Sequence, residues 1–154
     1  KPRQTIRQET PKEEGHIRSQ KSLLTWLIDR EELLDQVSRY VTPEDFTVEL
    51  YRKVAELLYE QHAKGELNPA QIMNYFTEEE EHRAVAALFN TRNKELRTAG
   101  EQEKAIKETN LRVKEYSIET ATRNLDPTDI QGLQRLMNAK KAVQDLHKLH
   151  ISIN

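Results

Sequence analysis

An all-α fold, a small bundle of short helices followed by a long antiparallel helical hairpin, is predicted by three features of the sequence. Only 4 Gly and 5 Pro occur among 154 residues, too few for a β-rich chain that turns about every ten residues. Strand-like alternation of apolar and polar residues is hard to find anywhere. Apolar residues instead recur at helical spacing, and the stretches between them carry cap and proline signals.

Residues 1–18 contain two prolines, one glycine and almost no apolar side chains, so they read as a flexible linker or tail. The missing initiator Met suggests a segment of a longer protein. A bundle subdomain is expected over 19–92. Leu23, Leu24, Leu27 and Ile28 form a first helical stripe, and Asp29 with Glu32 resembles a capping box opening a second helix with Leu33, Leu34 and Val37. Thr42-Pro43-Glu44-Asp45 is a cap followed by proline at the first helical position. It precedes Phe46 and the longer stripe Leu50, Tyr51, Val54, Leu57 and Leu58, which Gly65 ends. Asn68-Pro69-Ala70-Gln71 repeats the cap, with Leu67 and Ile72 placed as a hydrophobic staple and a short helix running to about Phe76. Thr77 with Glu80 opens another helix carrying Ala84, Val85, Leu88 and Phe89, and its Glu78 to Glu81 run lies where a helix dipole favours negative charge.

The texture changes beyond residue 92, and 93–154 read as a long helix and a hairpin. Ile106 and Val113, and Leu111, Ile118 and Leu125, recur at seven residues. Asp126-Pro127-Thr128-Asp129 caps a final helix, with Leu125 and Ile130 in staple positions. A lone hairpin buries one seam, so apolar residues off it need a second surface. Those residues come from Leu133, Leu136, Met137, Leu146, Leu149, Ile151 and Ile153. A partner helix or helix pair is the favoured cover; the alternative is that the hairpin folds back on the first helices.

Composition narrows the function classes. Apolar residues make up 36% of the chain and charged residues 32%, against roughly 25% charged in an ordinary domain. No apolar run is long enough to cross a bilayer. The absence of cysteine excludes disulfides, thiolate metal sites and cysteine nucleophiles. Together with the lack of a signal-peptide pattern, this predicts a cytoplasmic location. A net charge of -2 is not that of a protein that coats nucleic acid.

Several segments together resemble the C-terminal helicase-binding domain of bacterial DnaG-type DNA primase. They are Lys21-Ser-Leu-Leu-Thr-Trp-Leu-Ile28, the acidic Asp29-Arg-Glu-Glu32, Phe46 followed by Tyr51-Arg52 and the apolar run to Leu58, and Gly65 with Asn68-Pro69 before Ile72. The closing Leu146-His-Lys-Leu-His-Ile-Ser-Ile-Asn154 is also similar to the end of such a primase. The likeness spans residues 18 to 154 and lies in helix starts and apolar positions. The N-terminal domain of the DnaB-type replicative helicase has a similar layout, but the Gly-Ala stretch usual after its paired leucines is replaced here by Thr25-Trp26.

The primase resemblance implies a non-catalytic domain whose hairpin docks on the hexameric DnaB-type helicase, recruits primase to the bacterial replication fork and modulates the helicase. Polymerase and zinc-binding domains of the parent protein would lie elsewhere, and no cofactor is expected in these residues. The implied helicase-binding set is Leu133, Leu136, Met137, Lys140, Lys141, Val143, Leu146, Leu149 and Ile151. Leu146→Asp or Leu149→Asp would then weaken binding without unfolding the bundle. In some members a basic pocket accepts the acidic tail of single-stranded DNA-binding protein, and Arg18, Lys21 and Lys53 are candidates for it by charge, against a solvated basic rim. The helicase-domain alternative implies self-association through the hairpin.

Enzymatic readings find little support. Glu79 and His82 have the Glu-x-x-His spacing of dimetal bundles, but the only other such pair, Glu13 with His16, falls in the polar tail. His147 and His150 are a turn apart, and an exposed pair is the simpler reading. No HExxH, P-loop or GxGxxG motif occurs, and neither a metal site nor catalysis is expected. Arg135, Lys140, Lys141 and Lys148 against Asp145 make the final helix basic. Without an aromatic stacking platform, direct nucleic-acid binding ranks behind protein binding.

Overall fold

The computed structural model describes residues 11–91 and 97–153. Among these, seven α-helices occur and no strand: α1 Pro11–Asp29, α2 Leu33–Val37, α3 Glu49–Lys64, α4 Pro69–Tyr75, α5 Glu79–Asn90, α6 Ala99–Arg123 and α7 Ile130–Lys148, with a 3₁₀ turn at Pro43–Asp45. The all-α class and the α6–α7 hairpin are as the sequence predicts.

The layout is set by α6. Its 25 residues span about 37 Å at 1.5 Å per residue, and it packs against α1 on one side and α7 on the other. The α1 contact is antiparallel. Lys12 bonds Glu119 at 2.8 Å, His16 stacks on Tyr116 with ring centroids 3.6 Å apart, and Arg30 reaches Gln102 at 3.4 Å. This neighbour explains a departure from the sequence reading. The polar stretch to residue 18, expected to be a linker, is helical from Pro11 because α6 supplies a surface for one face of it. Residues 1–10 lie outside the described residues.

The hairpin is likewise not a free arm. Ile106, Val113 and Leu146, followed by Ile151 and Ile153, belong to the same continuous core as Leu23, Leu24, Leu27, Leu34, Phe46, Val54 and Leu88. The boundary expected at residue 92 lies outside the described residues, and the buried apolar residues on its two sides form one cluster. Each fully buried leucine contributes about 1.5–3 kcal/mol, and the fold-back supplies to Leu146, Ile151 and Ile153 the cover expected from a partner.

Several helix starts differ from their sequence signals. Helix α1 runs through Asp29, so the Asp29–Glu32 capping box is absent and α2 opens at Glu32 without a side-chain cap. Thr42 and Asp45 do form a capping box, but on the 3₁₀ turn; α3 starts only at Glu49. The backbone donor of its N-cap residue is met from α1 instead. The buried Gln20 accepts from the Val48 N–H at 3.1 Å while donating to Thr47 at 2.8 Å. Helix α5 opens at Glu79, with no side-chain cap from Glu78. Gly65 ends α3 at φ 70°, the left-handed conformation that favours glycine. Asn68 caps α4 through Gln71 N–H at 3.0 Å. Asp129 caps α7 through Gly132 N–H at 2.9 Å. The Leu125–Ile130 staple does not form: Ile130 is 77% exposed. A Cβ on Gly132 would lie 2.5 Å from Asp129 Oδ2 and 2.9 Å from Leu125 Cδ1, so the capping aspartate and Leu125 both lie over the glycine.

Polar ties join distant elements. Asp45 accepts from Lys114 Nζ at 3.1 and 3.0 Å, from Ser117 Oγ at 2.8 Å and from Thr42 N–H at 2.9 Å. The side chains of Lys114 and Asp45 are only 9% and 8% exposed. Nearby, the Tyr59 hydroxyl donates to Val41 O at 2.7 Å, and burial, reinforced by the Asp45 charge, raises its pKa well above the usual tyrosine value. His62 bridges Glu31 at 2.6 Å and Asp35 at 2.8 Å, tying α3 to the turn before α2 and to α2.

Three outcomes follow. Lys114→Ala leaves the Asp45 carboxylate buried without its cation and is expected to cost about 3–5 kcal/mol in denaturant unfolding; a loss no larger than that of an exposed lysine would contradict it. Leu146→Asp is expected to melt the whole bundle, read by circular dichroism, rather than release a hairpin from an intact subdomain. The third concerns His62. Its pKa is raised from the ordinary 6.5, first by the hydrogen bond to Glu31, with Asp35 adding to it. Its stabilisation is therefore fully present below the unfolded value and lost as pH rises through the higher folded one. The stability gap between the parent and His62→Gln should narrow as pH rises above the ordinary 6.5; a gap independent of pH would remove the charged bridge.

Candidate protein-interaction site

Helix α7 turns one face inward and one outward. Leu146 is fully buried, and Leu136, Ala139 and Val143 are half-buried. The outward face begins with Ile130, Leu133 and Met137, which are 77%, 39% and 70% exposed. Their i, i+3, i+7 spacing aligns them in one stripe. Lys140, Lys141 and Lys148, all exposed, continue the helix toward its C-terminal end. The result is an apolar first half and a basic second half on an accessible helix.

The sequence-derived helicase-binding set therefore divides. Leu133, Met137, Lys140 and Lys141 are exposed. Leu146 and Ile151 are core residues, removed from the surface because the hairpin lies against the bundle and the chain after α7 tucks inward. Leu149 packs partly against the core, and Leu136 and Val143 are half-buried. Sequence reasoning missed Ile130 as a surface residue by placing it in a staple. Gly132 was the available signal, since a glycine inside a helix marks a close approach by something else.

Leu136 lines a cleft of about 610 Å³ between α7, α6 and the 3₁₀ turn, together with Ala121, Ala139, Ala142, Arg39 and Arg135, and the Asp45, Lys114 and Ser117 cluster. Two charge pairs in it are matched within the protein: Lys114 meets Asp45, and Arg135 lies 3.7 Å from Asp129.

The basic candidates Arg18, Lys21 and Lys53 do not line one pocket. Lys53 lines a cleft of about 520 Å³ with Glu49, Arg52, Glu56, Tyr75 and Glu81, whereas neither Arg18 nor Lys21, exposed on α1, borders it. Lys53 lies 5.1 Å over the Tyr75 ring and 3.4 Å from Glu56. Its ammonium is held above the usual lysine value first by Tyr75 and then by Glu56. Three carboxylates against two cations make this cleft a poor match for an acidic peptide.

His82 is held by backbone carbonyls. His82 Nδ1 lies 3.0 Å from Met73 O and 3.2 Å from Phe76 O, at the end of α4, while Glu79 accepts from Arg83 at 3.1 Å. Glu13 lies outside the described side chains. Its sequence partner His16 is held below the ordinary value by burial, which outweighs the Glu119 charge. His147 lies 3.9 Å from Glu115, and both are exposed. No group of three or more His, Asp or Glu side chains suited to a metal ion occurs among the described residues. No helix among them is long and apolar enough to cross a membrane.

No protein-family profile matches the chain, and comparisons with characterised proteins and with solved structures return no match. What the geometry itself defines is an all-α domain with one outward helix that is apolar in its first half and basic in its second.

Proposed function

We propose that this chain is a non-catalytic, protein-binding domain of a DnaG-type primase that docks on the DnaB-type replicative helicase through the outward face of α7. In this reading it brings a primase, whose polymerase chemistry resides elsewhere, to the replication fork and influences the helicase. The observation that carries it is the exposure of Ile130, Leu133 and Met137 in one stripe leading into Lys140 and Lys141. Support also comes from the order of helix starts and apolar positions that resembles the primase domain. A few apolar anchors in a partner's groove supply most of the affinity of such helix docking. Lysines beside them steer encounter with an acidic partner.

Mixing the chain with the DnaB-type helicase of its source organism should give co-elution in size exclusion. Leu133→Asp and Met137→Asp should each weaken binding by about tenfold or more with an unchanged circular dichroism spectrum. Failure to co-elute, or full affinity in both variants, would reject the docking face. Light scattering that finds the isolated chain self-associated through α7 would favour the helicase N-terminal domain instead.

A further inference from the structure

After α7 the chain leaves the helix at Leu149, whose backbone is extended at φ -67° and ψ 131°. Burial then alternates: His150 exposed, Ile151 buried, Ser152 exposed, Ile153 buried. That period of two is the mark of an extended segment with one face covered. The way it is held is unlike the packing of the helices. Gln36 of α2 donates from Nε2 to Ser152 O at 2.8 Å and accepts on Oε1 from Ser152 N–H, also at 2.8 Å. One side-chain amide thus satisfies both backbone groups of a single residue, as a neighbouring strand would. Glu103 of α6 accepts the next available donor, Ile153 N–H, at 2.8 Å. Four residues along α6, Lys107 donates to His147 O and closes the last turn of α7.

Backbone reading by polar side chains, with alternate apolar side chains inserted between them, is how proteins bind extended peptides. None of the contacts to Ser152 uses its side chain, so that position is read only through its backbone. We propose that the seam between Gln36 of α2 and Glu103 of α6 is a binding site for an extended aliphatic-x-aliphatic peptide. Residues 149–153 occupy it in cis, and the same segment of a second copy occupies it when the resident one is displaced. Exchange of one identical segment between copies creates no new interface chemistry. This site is separate from the outward face of α7, and its test does not depend on helicase binding.

The probe is a fluorescein-labelled peptide, Leu-His-Ile-Ser-Ile, titrated against the full chain and against the full chain carrying Ile151→Ser and Ile153→Ser. In the parent, the tethered segment has an effective concentration on the order of millimolar, so micromolar peptide should give no anisotropy change. The double variant should keep its helical circular dichroism and bind the peptide at least about tenfold more tightly than the parent. Adding Gln36→Ala to it should weaken binding by about tenfold, through loss of two hydrogen bonds. In the unmodified chain, the Ser152 and Ile153 amides should exchange faster than those of the buried part of α1, reporting local release. A folded double variant that ignores the peptide, or indifference to Gln36→Ala, would overturn the proposal. So would loss of the helical bundle in the double variant, or exchange of these amides only with global unfolding, since either makes the segment a fixed part of the core.

Discussion

The buried carboxylate of Asp45 is the constraint to which much of the architecture answers. Removing a carboxylate from water costs several kcal/mol unless a cation and further donors replace the lost hydration. Asp45 receives Lys114 Nζ, Ser117 Oγ and the Thr42 N–H. Two of those donors come from α6, so α6 must lie against the 3₁₀ turn in one register. With that register set, His16 meets Tyr116, Lys12 meets Glu119, and the N-terminal half of α1 acquires the neighbour that makes a polar sequence helical. Tyr59, whose hydroxyl is spent on Val41 O, closes the same region from α3.

The parts of the fold governed by local chemistry were legible in the sequence. Gly65 and Asn68-Pro69 stop or start helices through interactions within a few residues of themselves, and each does so in the structure; the last helix also starts on a local cap, but at Asp129 rather than at the Asp126-Pro127 that the staple reading implies. Starts that depend on distant partners were not legible. Nothing near Val48 announces that Gln20 will accept its N–H, and nothing in residues 11–18 announces α6. The same distinction explains the site. Helical spacing correctly put Leu133 and Met137 off the α6 seam, but Leu146 and Ile151 share their chemistry and differ only in where the hairpin comes to rest. Ile130 misled in the opposite sense, because Leu125 had a glycine rather than Ile130 to cover.

The outward and inward faces of the region beyond residue 130 divide the labour of its apolar side chains. Leu146, Ile151 and Ile153 secure the hairpin to the bundle. Ile130, Leu133 and Met137 remain uncovered in a helix already fixed in position, so a partner meeting them need not order a mobile element first. Preorganisation of that kind lowers the entropic cost of association. The lysines that follow are exposed, and the cation on buried Asp45 is Lys114, so the charge presented outward is not the charge that holds the fold together.

The separation of Asp45 and Lys114 by 69 residues also orders events during synthesis. At about 5–20 residues per second, Asp45 leaves the ribosome roughly 3–14 seconds before its cation does. Helices α1 to α5 thus all emerge before the charge that allows the carboxylate to be buried. The 3₁₀ turn must stay hydrated until α6 arrives. Ser152, 116 residues after Gln36, joins later still. The nascent bundle therefore presents an open flank in which a turn carrying an unpaired acid waits for a helix not yet made.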